Sequence, residues 1–135
     1  MANSSPVLCI GGLHFDRIAQ SLAPFVIKAS NPVRYVRIGG GVAHNIACDL
    51  VKLGTPSSLL SLVGDDADGD AILKDTQQWG VDMALVTQGQ ALATASYTAV
   101  LDMAGELAVG LSDTETYDLV TPEFLAPYLD QLHKH

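Results

Sequence analysis

The residues best placed to do chemistry lie in one stretch, Gly39-Gly40-Gly41-Val42-Ala43-His44-Asn45. Glycines let the backbone approach a ligand closely, and a helix that opens directly behind them offers backbone N–H donors. Asn45, one turn into such a helix, can both donate to and accept from a hydroxylated ligand. The same triplet serves equally well as a tight strand-to-helix turn with no ligand at all. Other motifs fail. There is no Gly-x-x-x-x-Gly-Lys-Ser/Thr loop, and His44 stands where the third glycine of Gly-x-Gly-x-x-Gly belongs. No catalytic triad and no His-Glu-x-x-His is present. The acidic run Asp65-Asp66-Ala67-Asp68-Gly69-Asp70 lacks the alternating ligand spacing and distal Glu of a calcium loop. It reads as a solvated turn with acids at a helix N-terminus, where they suit the helix dipole. His14, His44, His133 and His135 show no metal spacing, and neither do Cys9 and Cys48.

The elements that must position these groups follow from pattern. Val7 to Ile10 is an apolar run stopped by glycines, as expected of a strand buried on both faces. Phe15 to Ile38 contains Pro24, Pro32 and short apolar stretches, which suggests short strands around a Ser30-Asn31-Pro32 turn, outside the main core. A helix is expected from about Val42 to Leu53, with Val42, Ile46, Leu50 and Leu53 at helical spacing and Gly54 as its C-terminal cap. Leu59 to Val63 reads as a strand, Asp65 to Gly69 as a loop, and Asp70 to Trp79 as a second helix closed by Gly80. Ala84 to Thr87 is a further strand. Ala95 to Leu101 and Glu106 to Leu111 flank Asp102-Met103-Ala104-Gly105, a hairpin pattern. Thr121-Pro122 opens a last helix that carries Phe124, Leu125, Tyr128 and Leu132 to the end of the chain. Alternating strands and helices imply a mostly parallel sheet with helices on its faces. The early strands and the hairpin break that alternation and suggest a separate small sheet.

Composition narrows the function. The chain has 135 residues, enough for one domain. Its 48% hydrophobic and 16% charged content excludes a disordered chain. A net charge of −8 with no basic cluster makes nucleic acid a poor partner. The start, Met1-Ala2-Asn3-Ser4-Ser5-Pro6, has no leader pattern, and no stretch is long and apolar enough for a membrane span. Both cysteines sit in apolar patterns and read as small core residues of a reducing, cytoplasmic compartment.

Longer patterns carry a resemblance. Gly40-Gly41-Val42-Ala43-His44-Asn45-Ile46-Ala47, then six residues, Gly54, nine residues and Gly64 resemble the first signature of the ribokinase-like (PfkB) carbohydrate kinase family. Val7-Leu8-Cys9-Ile10-Gly11-Gly12 followed by Asp16 resembles that family's first strand and sugar-binding loop. Val63-Gly64-Asp65-Asp66-Ala67-Asp68-Gly69 and Trp79-Gly80-Val81-Asp82 resemble its next loop and its helix exit. Ala95 to Asp102 and Leu111-Ser112-Asp113 look most like the pseudouridine kinase branch, which phosphorylates the 5′-hydroxyl of a C-nucleoside.

The resemblance implies a Rossmann-like α/β domain with a β-sheet lid over the sugar, the lid formed by about 15–38 and about 94–112. It implies that Asp16, Gly40, Gly41 and Asn45 hold sugar hydroxyls, a task that suits an ionised carboxylate. His14 departs from the Asn that many relatives carry at its position. His14, Tyr97 and Asp113 are candidate lid contacts; Tyr97 either stacks on a base or simply packs in its strand. ATP and Mg2+ are implied for a full-length parent, with neither bound by these residues alone. The substrate would be a sugar or nucleoside, with ribose, adenosine or fructose as alternatives to pseudouridine. A homodimer through the lid is also implied. Nothing in the chain resembles the family's second signature, Asp-Thr-x-Gly-Ala-Gly-Asp, or its Asn-x-x-Glu motif. Only about three parallel strands are visible, where a sheet usually has about four to six. The expectation is therefore the N-terminal part (residues 1–135) of one kinase domain, truncated before its catalytic Asp and inactive alone. The alternative is a non-catalytic sugar-binding or dimerisation module.

Overall fold

The computed structural model describes residues 5–89 and 92–133. Met1-Ala2-Asn3-Ser4 and His135, weighed above as a leader and as a metal ligand, lie outside them. Two sheets are built. The first is three-stranded and parallel, in the order β1-β4-β5, with β1 at Val7–Ile10, β4 at Ser57–Gly64 and β5 at Val86–Gly89. The second is four-stranded and mixed, in the order β3-β2-β6-β7. Its strands are β2 (His14–Ser21), β3 (Val33–Gly40), β6 (Ser96–Leu101) and β7 (Leu107–Asp113). The separate small sheet expected from the broken alternation is thus present. Its two hairpins join through a parallel β2–β6 pairing.

The core lies on one face of the parallel sheet. All eight residues of β4 are buried. Successive side chains alternate between faces. Leu59 and Val63 meet α1 (Val42–Lys52) and α2 (Ala67–Gln78), while Leu60 and Leu62 fall to the opposite face, which a 3-10 turn at Glu115–Leu119 approaches. Ser57 Oγ donates to the Ala47 carbonyl at 2.7 Å, tying α1 to the sheet. No helix among the described residues is long and apolar enough to cross a membrane.

Several expectations change. β1 is a strand, but only Cys9 in it is buried, and Ile10 is 46% exposed, because β1 forms an edge of the sheet. Of the apolar residues expected along α1 only Leu50 packs against the core: Val42 and Ile46 are exposed, as is Leu53 at the C-cap just past the helix, at 76%, 49% and 82%. The buried face is instead Ala43, His44, Ala47 and Cys48. Small side chains there let the helix axis lie close to the strands. Helix α2 begins at Ala67, inside the span expected to be loop, because Asp66 caps it by accepting from the Gly69 amide at 2.7 Å. The C-terminal helix is broken into α3 (Pro122–Leu125), a 3-10 turn and α4 (Leu129–Leu132). Pro127 has no N–H for the helical ladder and its ring crowds the preceding turn. Thr121 caps α3 as expected, accepting from the Phe124 amide.

Candidate functional site

The site forms where β2 leaves the Gly11-Gly12 turn and β3 runs into α1. Gly40 ends β3 beside β2, in register with His14, and Gly41 is the N-cap of α1. A Cβ on Gly40 would collide with the Asp16 carboxylate. A Cβ on Gly41 would collide with the Gly12 carbonyl, and its φ of 99° is one that L residues rarely adopt. The glycines are therefore required by close approach: Gly40 makes room for Asp16, and Gly41 lets the helix start press on the Gly12 loop. The His44 amide donates to the Gly12 carbonyl at 3.2 Å, closing that junction.

His14 and Asp16 lie together, His14 Nε2 standing 3.3 Å from Asp16 Oδ1. His14 Nδ1 is 2.7 Å from the Tyr117 hydroxyl, which also accepts from the Leu13 amide at 2.8 Å. Burial pushes the His14 pKa below its usual value; the Asp16 carboxylate pulls the other way, and His44 adds to the lowering. Burial also pushes Tyr117 up to about 12, so its hydroxyl stays protonated. Tyr117 is the residue that inspection of the sequence misses. It lies in a short 3-10 turn with no periodic pattern and acts on residues more than a hundred positions away.

The remaining candidates are spread around this group. Tyr97 is the direct partner of Asp16 across the β2–β6 pairing and so shares its face, but its ring leans over Gly110 of β7. Asp113 pairs with Ser96, which pairs with Phe15, and so belongs to the opposite face from Asp16. Ser112 takes the position beside Tyr97. The Asn45 amide donates to the Gly41 carbonyl at 2.9 Å, while its side-chain Oδ1 turns to His44 Nδ1 at 2.9 Å. Asn45 thereby lines a groove of about 610 Å³ between α1 and α2, together with Arg37, Lys52, Asp75 and Trp79.

Polar ties hold the second sheet onto the first layer. Arg17 and Arg37, from β2 and β3, both reach Asp68 in the first turn of α2. Arg37 also lies over the Phe15 ring at 4.0 Å. The Thr94 hydroxyl accepts from the Gly64 amide and donates to Asp66, which also accepts from the Thr94 amide. Burial works to raise the Asp66 pKa, but these bonds and the Gly69 amide outweigh it and leave the group lowered. Asp68 and Asp66 are thus more than dipole-matched surface acids. Cys9 and Cys48 are buried free thiols, as expected, and burial raises both pKa values.

Comparison with known proteins agrees with this architecture. The chain is 35% identical over 130 residues to a pseudouridine kinase of Escherichia coli (strain K12), covering 95% of this chain and 41% of that one. It is 36% identical over 111 residues to an ATP-dependent ribose-1-phosphate kinase of Halopiger xanaduensis, covering 82% of this chain and 36% of the relative. A solved carbohydrate kinase from Agrobacterium tumefaciens matches the fold with a TM-score of 0.82 at 31% identity, over 90% of this chain and 39% of that chain. The chain spans about two fifths of the length of these relatives. Residues 5–132 match the family described as pfkB family carbohydrate kinase. That match runs through both sheets and contains the glycine-led helix from which the resemblance was first drawn, so the chain belongs to the pfkB family of carbohydrate kinases.

Proposed function

We propose that the whole protein is an ATP-dependent sugar or nucleoside kinase, with pseudouridine as the first candidate substrate. Residues 1–135 would form the substrate-binding, N-terminal part of its one kinase domain. The observation that carries this is the Asp16 carboxylate, set against Gly40 where no side chain can intrude and held on one side by His14. A carboxylate fixed in this way accepts strong hydrogen bonds from sugar hydroxyls. Backbone amides at Gly40 and Gly41 and the Asn45 side chain would complete the cradle; Asn45 would have to turn from His44 toward the sugar. The mixed sheet would serve as the lid, presenting Tyr97 and Ser112 on the face of Asp16.

Phosphoryl transfer depends on positioning and on charge stabilisation around the phosphate. Among the described residues no group of three or more His, Cys, Asp or Glu could hold a metal ion. On this reading these residues bind and orient the accepting hydroxyl, and the nucleotide, the divalent cation and the catalytic carboxylate belong to the further length that the relatives have. The 135 residues alone would turn over no ATP. The lid would also pair with that of a second copy: Val36 and Ile38 of β3, on the Asp16 face of the mixed sheet, are exposed apolar residues that a dimer would cover. The test is a screen of the full-length protein with ATP against pseudouridine, ribose, adenosine and fructose. Preference for pseudouridine supports the reading; preference for fructose overturns the substrate assignment.

A further inference from the structure

We propose that Tyr117 is a positioning residue: it locks His14 in the Nε2–H tautomer and thereby fixes the carboxylate of Asp16. Four groups lie in a line. The Leu13 amide can only donate, and it reaches the Tyr117 oxygen at 2.8 Å. With one lone pair so engaged, the phenol has a single O–H to direct, and His14 Nδ1 lies 2.7 Å away. At the other end of the ring, Nε2 faces Asp16 Oδ1 at 3.3 Å. An ionised carboxylate only accepts. An Nε2 lone pair aimed at it would repel, so this contact at 3.3 Å favours the proton on Nε2 without fixing it there by itself. Nδ1 is then the acceptor, which is the state the Tyr117 O–H requires. Both ends of the imidazole therefore select the same tautomer.

Protonation of both nitrogens would break this arrangement. Nδ1–H would point at an oxygen that already accepts from Leu13, and the phenol proton would lose its partner. The groups facing the ring are Asp16, which favours the charged form, and Tyr117 and His44, which do not; burial disfavours it further. Leu13 is fully buried and His14 nearly so, which limits the water available to substitute for any member of the line. The line also joins distant parts of the chain: the turn after β7 is fastened to the loop before β2. With Oδ1 engaged by His14, Oδ2 is the oxygen left to meet a hydroxyl. That last step rests on the sugar-binding role proposed for Asp16; the tautomer lock does not.

The experiment is measurement of the His14 imidazole nitrogen shifts by NMR in the full chain, wild type against Tyr117→Phe. The wild type is expected to give the neutral Nε2–H tautomer, and Tyr117→Phe a mixture of the two. Leu59 and Leu62 amide signals in the same spectra report whether the variant remains folded. An Nδ1–H tautomer in the wild type, or unchanged populations in a folded Tyr117→Phe, overturns the lock. Kinetics form the second arm. Tyr117→Phe is expected to raise KM for the sugar roughly three- to tenfold, the scale of one hydrogen bond, with kcat little changed and no further effect in an Asp16→Asn background. A purely structural role would instead lower kcat and stability in both backgrounds. If Asp16→Asn binds sugar as the wild type does, the function assigned to Asp16 fails, and the tautomer shifts still decide the lock.

Discussion

The two sheets of this protein are stabilised in opposite ways. In the parallel sheet, β4 is buried at every position, between helices on one face and the C-terminal turns on the other. In the mixed sheet, β7 is exposed at every position, and β3 is exposed along most of its length. The first is held by packing. The second is held at one end by Phe15, which packs into the core, and by polar ties, Arg17 and Arg37 to Asp68 and Thr94 to Asp66, and leaves the apolar residues of β3 and β7 open. The candidate site lies at the seam. Its floor is anchored in the packed layer, while Asp16, Tyr97 and Ser112 stand on the sheet that has freedom to be covered by something else.

The contrast predicts a large asymmetry in stability. Leu59→Ala, in the core cluster, is expected to destabilise by about 2–5 kcal/mol, the range for truncating a fully buried leucine. Leu111→Ala, 55% exposed on β7, is expected to change stability by no more than about 0.5 kcal/mol. Urea denaturation of both variants measures the difference, and equal losses would mean that the mixed sheet packs as tightly as the parallel one.

At the seam, function and stability should separate. Gly40→Ala places a methyl group against the Asp16 carboxylate, the movable end of a side chain. Sugar affinity is expected to fall by at least tenfold, roughly the value of one well-made charged hydrogen bond, while the unfolding midpoint moves little. Isothermal titration beside denaturation separates the two effects.

Thr94→Val tests the clasp. It leaves the Gly64 amide and the Asp66 carboxylate each without one partner, at a cost of about 1–3 kcal/mol. Hydrogen exchange is expected to accelerate first at the start of β6. Acceleration spread evenly over β4 would contradict a local clasp.

The smallest effect is in pH. His14 has a lowered pKa in the folded chain, so the unfolded chain binds the proton more readily. Its contribution to stability is complete above the unfolded value of about 6.5 and is lost as pH falls from there through the folded pKa. Denaturation midpoints between pH 7 and 5 should fall in the wild type, and His14→Asn should flatten that part of the curve. Asp66, also lowered, loses its contribution only in more acid solution, so the two are separable.

Much of this was legible in residue patterns. The runs Val7 to Ile10 and Leu59 to Val63, the turn glycines and the Thr121-Pro122 cap each use short-range physics that one segment carries by itself. The buried face of α1 was not legible, because close packing selected Ala43, Ala47 and Cys48 there and left the larger Val42 and Ile46 exposed. The early start of α2 depended on a cap from Asp66 inside an acidic run that resembles a loop. Pro127 was visible, yet the apolar spacing on either side of it masked the break. In the site, Gly40, Gly41 and Asp16 were found through local spacing and family resemblance. Tyr117 was not, since its partners Leu13 and His14 are distant in sequence and only the folded chain brings them together.

Asp16 is proposed here as the sugar-binding carboxylate of a kinase whose phosphoryl-transfer groups lie elsewhere. Steady-state kinetics of the full-length protein with Asp16→Ala test that role most directly, with sugar and ATP varied separately. The expected loss in kcat/KM for the sugar corresponds to about 2–3 kcal/mol, with KM for ATP unchanged. Sugar kinetics equal to those of the wild type, or a loss confined to ATP, would contradict it.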